Sequence, residues 1–215
     1  MLPLRARLES FGVEVNWDAE SRTVNMKDLN TLTSFVIDAE TDYNGEAVNG
    51  VPHGYGTKTV RSGELKDSFF TGLFENGVLK TGFAALNMPD GSEYWGEVQN
   101  GNLSGYVVAL FADESYYQGN WKDGKWHGYG ELFLSDGSVY KGYWVNGLRH
   151  GYGEHYNSDG DTYKGTWEVG VFVEGEALFS DGSSFIGTYK DDLPYEGVYY
   201  KYGMYHTVRN GKIIN

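Results

Sequence analysis

A motif that recurs about every 23 residues is the feature of this sequence that most constrains its fold. An aromatic-x-Gly triplet begins at seven positions, separated by 27, 24, 23, 23, 23 and 22 residues. The triplets begin at Tyr43, Phe70, Tyr94, Tyr117, Tyr140, Tyr163 and Phe185. Self-similarity at a fixed period is typical of stacked repeat proteins, in which each unit buries its apolar surface against its neighbours. We therefore predict seven repeats over residues 43–204.

Two turn signals in each repeat predict that the unit is a β-hairpin. Asn-Gly or Asp-Gly dipeptides accept the positive φ of a type I′ turn. One set lies at 49–50, 76–77, 100–101, 123–124 and 146–147, and the other at 90–91, 136–137, 159–160 and 181–182. The short segments between them are rich in aromatic residues, which favours strands. We predict an all-β fold, an elongated single-sheet antiparallel β-hairpin solenoid of fourteen strands about 65 Å long at ~4.8 Å per strand.

Strand parity assigns the repeated aromatic side chains to one face of this sheet. Tyr140, Gly142 and Trp144 share a face, and Gly153 leaves a hole there that a large ring can cover. The opposite face carries a tyrosine column that includes Tyr129 and Tyr152. We assign a structural role to the repeat aromatics Tyr117, Trp121, Tyr140, Trp144, Tyr163 and Trp167.

The full pattern Tyr-x-Gly-x-Trp-x-x-Gly-x-x-His-Gly-x-Gly resembles the MORN repeat (membrane occupation and recognition nexus). It is nearly complete at 117–130 and 140–153, and good at 43–56, where Ala47 replaces the tryptophan. The other copies depart from it at Lys80-Thr81, Ser104, Val173-Glu174 and Asp192. The resemblance implies a hairpin solenoid used for scaffolding, dimerisation or partner binding, and sometimes for phosphoinositide lipids. The departures weaken any function that needs a row of identical sites.

The first 42 residues follow a different pattern and predict a small helix-plus-hairpin cap. Residues 2–12 are helix-like and end in a glycine, and 13–17 and 22–26 alternate as two strands. This run resembles the second half of the copper amine oxidase N-terminal-like domain of Gram-positive bacteria. That resemblance implies a bacterial wall-associated or secreted module, with no copper ligands in this portion. We expect 1–42 to precede the repeats and 205–215 to form a C-terminal capping strand.

Charge and composition exclude several classes of protein. The 17 basic and 30 acidic side chains give a net charge of −13, which opposes nucleic-acid binding and makes membrane binding an unfavoured alternative. The lack of cysteine excludes disulfides, Cys-ligated zinc, iron–sulfur clusters and a thiol nucleophile. No apolar run is long enough to predict a transmembrane helix. We expect an extracellular or cell-surface location if a leader precedes Met1, and a cytoplasmic one otherwise.

Candidate chemistry in the sequence is weak, so we predict no catalytic residues, no metal and no cofactor. No nucleophile elbow, P-loop or His-Glu-x-x-His motif occurs. His53, His127 and His150 share one repeat position, but equivalent atoms of successive repeats lie about 10 Å apart, whereas zinc needs nitrogens at about 2.1 Å. We interpret these histidines, and the Asp-Gly carboxylates, as structural.

The remaining candidates are residues for binding rather than catalysis. Trp126 stands beside the repeat histidine in only one copy, and we predict it as the strongest exposed contact. The candidate binding residues are Trp126, His127, Tyr129, His150 and Tyr152. We predict a non-enzymatic repeat scaffold that binds a protein partner. A cell-wall or other glycan binder that uses the aromatic columns is the alternative, and an anionic-lipid binder is the third reading.

Overall fold

A computed structural model of the protein describes residues 14–18, 23–27, 34–38 and 40–214. Contacts divide it into two units, Met1–Thr33 and Ser34–Asn215. In the first unit, β1 (Glu14–Asp18) pairs antiparallel with β2 (Thr23–Lys27), which is the hairpin predicted from the alternating pattern. The helix predicted over 2–12 lies outside the described residues.

The second unit is one antiparallel sheet in which consecutive strands pair. Within the described residues no registered pair joins its first strand to its last, so the sheet is open. Its strands are β3 (Ser34–Asp38), β4 (Thr41–Val48), β5 (Val51–Val60), β6 (Phe69–Glu75), β7 (Val78–Asn87), β8 (Glu93–Gln99), β9 (Asn102–Leu110), β10 (Tyr116–Lys122), β11 (Lys125–Phe133), β12 (Val139–Val145), β13 (Leu148–Tyr156), β14 (Thr162–Glu168), β15 (Val171–Leu178), β16 (Ser184–Lys190), β17 (Leu193–Lys201), β18 (Met204–Arg209) and β19 (Lys212–Ile214).

Strands β4 to β17 are the fourteen strands of seven successive hairpins, as the repeat period predicts. The strand β3, which lies in the predicted N-terminal segment 1–42, groups by its contacts with the sheet. The last hairpin, β18–β19, occupies the predicted capping segment 205–215 and begins one residue before it. The described residues of this unit are therefore all-β, with no helix among them.

The turn within each hairpin has the predicted type I′ backbone. Asn146 and Gly147 have φ of 52° and 85°, and the other Asn-Gly or Asp-Gly pairs of this set have the same signs. Positive φ at both central residues matches the twist of the flanking strands. The sixth hairpin keeps this geometry with Val169 at φ 49°, although valine is β-branched.

The turn between hairpins is of a different kind, and the type I′ prediction is wrong there. Only the glycine has positive φ, as at Gly137 with φ 91°, whereas Asp136 does not. Gly137 N–H donates to Leu134 O at 3.0 Å, and Leu134 N–H donates to Ser138 O at 2.9 Å. The Asp136 carboxylate accepts from Ser138 N–H at 2.8 Å. An aspartate-closed loop with one left-handed glycine results.

The glycine that follows the repeat histidine, such as Gly151, determines how many extra residues the β-bulge of each hairpin contains. In β12–β13, Gly142 pairs with Gly153 and Trp144 with Arg149, so the second strand carries two extra residues. Gly151 takes φ 68° inside this bulge. In β14–β15, where Glu174 stands in place of that glycine, the register shifts by one residue only. The departures noted in the sequence therefore change the local pairing but not the hairpin.

A tyrosine lies over a cross-strand pair of glycines in the regular repeats. A Cβ at Gly153 would lie 2.6 Å from Cζ of Tyr140, so glycine is required for the ring to pack there. The Tyr140 hydroxyl donates to Tyr143 O at 3.3 Å, beside the bulge. Rings do cover glycines, as predicted. Trp144 has a different role, because its Nε1–H donates to Gly130 O of the preceding hairpin at 3.2 Å.

Candidate functional site

The sheet of the second unit presents two chemically different faces. One face, called here the aromatic face, carries the rings of Tyr117, Tyr140, Trp144, Trp167 and Phe172. These five residues are at most 6% exposed, so this face contains the core of a single-layer sheet. The opposite face carries residues of the other strand parity and is described below.

Trp126, the strongest predicted contact, belongs to the aromatic face. Its ring stacks on Tyr117 at a centroid distance of 4.5 Å and an interplanar angle of 1°. It also meets Trp144 edge-on at 4.8 Å. Because both contacts are within the core cluster, the half-buried Trp126 ring is held in a packed position and is not freely exposed.

Three tyrosines on consecutive strands form the exposed cluster of the opposite face, called here the tyrosine face. Tyr129, Tyr143 and Tyr152 are 45%, 52% and 57% exposed. Tyr129 pairs with Tyr143 in the register of β11 and β12, and their rings meet edge-on at 5.8 Å. The predicted residues Tyr129 and Tyr152 therefore lie together on this face, and Tyr143 joins them.

The predicted histidines do not converge with one another. His150 is exposed, and His127 is half-buried with a buried Nδ1 that has no hydrogen-bond partner among the residues that the structure describes. Within residues 40–214, no group of three or more His, Cys, Asp or Glu side chains is placed to hold a metal ion. The histidines stay a row of separate positions, one to a hairpin.

A ladder of alternating charges runs along the tyrosine face, next to the three tyrosines. Glu131, Lys141, Glu154 and Lys164 are successive partners in the register of β11 to β14. Lys141 Nζ lies 3.8 Å from Glu131, and Lys164 Nζ lies 3.5 Å from Glu154. The lysines that could attract an anionic membrane are thus interleaved with carboxylates.

The aromatic face also holds two grooves. The larger has a volume of about 580 Å³ and is mostly apolar, with Phe70, Leu86 and Leu103 among its lining residues. The smaller has a volume of about 310 Å³ and is lined by both aromatic and polar side chains, including Arg149, His155 and Tyr189. In the smaller groove, the guanidinium of Arg149 lies directly over aromatic rings.

Arg149 is the central side chain of the smaller groove. Its guanidinium lies over Tyr140 and Trp167, with 4.7 and 4.9 Å to the ring centroids. Its Nη1–H donates to His155 Nδ1 at 3.4 Å. Burial, and next the Arg149 charge, lower the pKa of His155 to about 4. His155 is therefore neutral at pH 7 and carries its proton on Nε2.

Arg149 and His155 can be recognised in the sequence when the equivalent positions of all seven hairpins are compared. The position that pairs with the repeat tryptophan is apolar in the other hairpins and is arginine only at Arg149. The members of this position are Pro52, Leu79, Leu103, Trp126, Arg149, Phe172 and Pro194. Across from the triplet aromatic stand Lys58, Ala84, Ala109, Leu132, His155, Ala177 and Tyr199. One hairpin therefore breaks the apolar pattern at both positions.

Comparison with protein families finds MORN repeats in this chain at three places. The MORN repeat model matches residues 43–64, 117–139 and 140–162. These are the three segments in which the motif was most complete, and the structure shows each of them to begin in a glycine-bulged hairpin. The resemblance of the N-terminal segment to the copper amine oxidase N-terminal-like domain stays a prediction.

Two solved structures are distantly similar to the chain. The TCP domain of SAS-4 (dCPAP) of Drosophila melanogaster, in complex with a proline-rich motif of Ana2 (dSTIL), is 10% identical with a TM-score of 0.36, covering 82% of this chain and 89% of that chain. The TCP10 domain of Danio rerio CPAP is 13% identical with a TM-score of 0.34, covering 94% and 93%. Both are too distant to bear on function.

No curated protein sequence is significantly similar to the chain. The described residues include no helix of the length and apolarity that spanning a bilayer requires.

Proposed function

We propose that the chain is a non-enzymatic repeat scaffold that binds a protein partner through its tyrosine face. The observation that carries this proposal is the cluster of half-exposed rings at Tyr129, Tyr143 and Tyr152 on three adjacent strands. Tyrosine offers a large, rigid apolar area and a hydroxyl, and it is enriched in protein interfaces. The core of the sheet lies on the other face, so packing does not require these three rings.

The charges around the cluster suit a polypeptide better than an anionic membrane. Lys141 and Lys164 are paired with Glu131 and Glu154, so carboxylates compensate the charge of both lysines. Binding to anionic lipid draws on such cations, at about 1 kcal/mol for each near the surface. A partner that contributes apolar side chains and backbone hydrogen-bond groups fits this mixed surface.

We also infer that the hairpins outside the three matched segments are divergent members of the same elongated solenoid. Three of them keep the cross-strand glycine pair of the motif, at Gly72–Gly82, Gly165–Gly175 and Gly187–Gly197. In the fourth, Gly96 pairs with Val107. Stacking of this kind makes a continuous surface out of units that cannot bury their apolar side chains alone.

The test compares partner capture by the wild-type protein and by the triple variant Tyr129→Ser, Tyr143→Ser, Tyr152→Ser, followed by reconstitution with the purified partner. We expect the triple variant to lose at least about tenfold in affinity, because aromatic side chains dominate interface energies. The matched control is Leu178→Ser with Ile186→Ser, which removes two exposed apolar side chains elsewhere on the sheet. Equal affinity of the triple variant and the wild type would contradict the assignment.

A glycan ligand is the second candidate, because sugar rings stack on exposed tyrosine rings of the kind found here. The same variants distinguish the two functions when soluble polysaccharide replaces the protein partner. Tyrosine-dependent binding of polysaccharide, together with the absence of a protein partner that reconstitutes, would favour the glycan function.

A further inference from the structure

The aromatic face holds a cation, Arg149, among its aromatic rings. Among the described residues, no carboxylate lies within ion-pairing distance of Arg149, and its one side-chain hydrogen bond is the 3.4 Å contact to His155. A guanidinium carries five N–H donors, so most of them are left unused. Burial lowers the pKa of Arg149, which reflects the cost of holding this charge beside Tyr140 and Trp167 without an anion.

A second unsatisfied donor lines the same groove. Tyr189 is 9% exposed, and its hydroxyl is buried with no hydrogen-bond partner in the described part of the protein. Burial raises the pKa of Tyr189, so it remains a proton donor at neutral pH. Together with the Nε2–H of His155 and the unused N–H groups of Arg149, the groove of about 310 Å³ has several donors and few acceptors. The Tyr189 hydroxyl in particular requires an acceptor, because a buried donor that is left without one is destabilising.

We propose that this groove binds a single carboxylate that a polypeptide presents, either an Asp or Glu side chain or the α-carboxylate of a C-terminal residue. A carboxylate accepts two parallel N–H bonds from a guanidinium and can accept further bonds on its remaining lone pairs. The site lies on the aromatic face and is separate from the tyrosine face, so it does not depend on the function proposed above.

The surroundings select the class of anion. Asp192 lines the groove, and Asp136 and Asp159 act on His155 at longer range, so a doubly charged phosphate would be repelled more strongly than a carboxylate. The Trp167 ring is 5% exposed and is covered by Arg149 and Phe172. No open ring face is therefore left there for a sugar to stack on, and a slim acidic side chain fits better than a uronic acid.

The test is a titration of the full-length protein with N-acetyl-L-glutamate N-methylamide, followed through the nitrogen–proton signals of Arg149 Nε and Trp167 Nε1. N-acetylglycylglycine, with its free carboxylate, is the probe for a C-terminal α-carboxylate. We expect saturable shifts with a Kd on the order of 1–10 mM for at least one of the two probes, because a single charged contact supports only weak affinity. The neutral analogue N-acetyl-L-glutamine N-methylamide should bind at least about tenfold more weakly.

Two variants define the site. Arg149→Leu places there the residue that Leu103 provides in another hairpin, so the sheet should fold and binding should be lost. Arg209→Leu removes an exposed arginine from β18 and should leave binding unchanged, which controls for net charge. Tyr189→Phe should weaken binding by about two- to fivefold.

Several outcomes of these titrations would overturn the proposal. No saturable shift up to about 50 mM, or equal shifts with the glutamine analogue, would exclude a carboxylate site of useful affinity. Retained binding in Arg149→Leu would place the probe elsewhere. Tighter binding of glucuronate or inorganic phosphate than of either acidic peptide probe would overturn the polypeptide assignment.

Discussion

Val169 shows at the scale of one residue how strongly the hairpin turns depend on the type of side chain. The equivalent turn position is Asn or Asp in the five hairpins before it, and all of these residues have φ near 50°. Asparagine and aspartate tolerate the left-handed region, whereas a β-branched residue there is strained. Val169 adopts φ 49° with a side chain that is 68% exposed, so its burial does not compensate for the strain.

We expect Val169→Asn to stabilise the sheet by about 1 kcal/mol, the lower end of the cost of an unfavourable left-handed residue. Urea unfolding followed by circular dichroism would measure the difference. Val171→Asn is the control, because Val171 is also exposed but lies in the extended strand β15; it should be neutral or destabilising. A Val169→Asn variant no more stable than the wild type would show that this turn is not strained.

The residue scale also shows what the sequence could predict of the sites. Alternation along β12 assigned Tyr140 and Trp144 to one face correctly, because strand parity needs no tertiary information. The sequence did not show that the half-buried Trp126 ring stacks on Tyr117, because this contact depends on packing across the sheet. The Arg149 site was visible in principle as a polar break in an apolar row, but only once the register had aligned the hairpins.

At the scale of the element, two of the loops between hairpins are each tied to the next loop by a buried serine. Ser138 is 6% exposed, and its hydroxyl accepts a hydrogen bond from Ser158 N–H of the following loop at 3.1 Å. Ser115 makes the same contact with Ser135 N–H at 3.0 Å. These two hydrogen bonds are one repeat apart along the chain. They couple neighbouring hairpins in addition to the pairing of their strands.

We expect Ser138→Ala to destabilise the protein by about 1–2 kcal/mol, because Ser158 N–H loses its partner beneath the loop. Hydrogen exchange at the Ser158 amide should accelerate more than at the strand amides of β12. The control is Ser135→Ala, since Ser135 is exposed and donates its backbone N–H, not its hydroxyl, to Ser115. Unchanged exchange at Ser158 would mean that the Ser138 hydroxyl does not protect this amide.

The second set of turns could not be distinguished from the first by its dipeptides. Asp123-Gly124 and Asp136-Gly137 are the same pair of residues, yet only the first has two positive φ angles. In the second kind of loop, the aspartate carboxylate accepts from the backbone N–H two residues later, as Asp136 does from Ser138 and Asp159 does from Asp161. Because a backbone N–H is common to nearly all residue types, the dipeptide and the residue after it do not predict which kind of loop forms.

At the scale of the whole sheet, stability comes from contacts between successive hairpins, and the two ends are where such contacts are missing. An open sheet exposes unpaired N–H and C=O groups on its last strand, which invite pairing with another molecule. In the part of the sheet that the structure describes, the last strand is β19 (Lys212–Ile214), which is three residues long and begins with a lysine. Short length and charge are two of the ways by which edges avoid association. The hairpin β18–β19 thus protects the longer strand β17.

Removal of this protection should change the oligomeric state of the protein. Truncation after Gly203 deletes β18 and β19 and exposes the backbone edge of β17 (Leu193–Lys201), a nine-residue strand. We expect a protein that keeps its β spectrum but dimerises or aggregates, as light scattering and size-exclusion chromatography would show. In a second variant of the truncated protein, Val198→Lys puts a charge at the centre of the new edge, where Val198 is 45% exposed. That variant should return to the monomer, because a lysine opposes the approach of a second edge. A truncated protein that stays monomeric at high concentration, or that associates equally with Lys at position 198, would show that edge pairing is not what the terminal hairpin prevents.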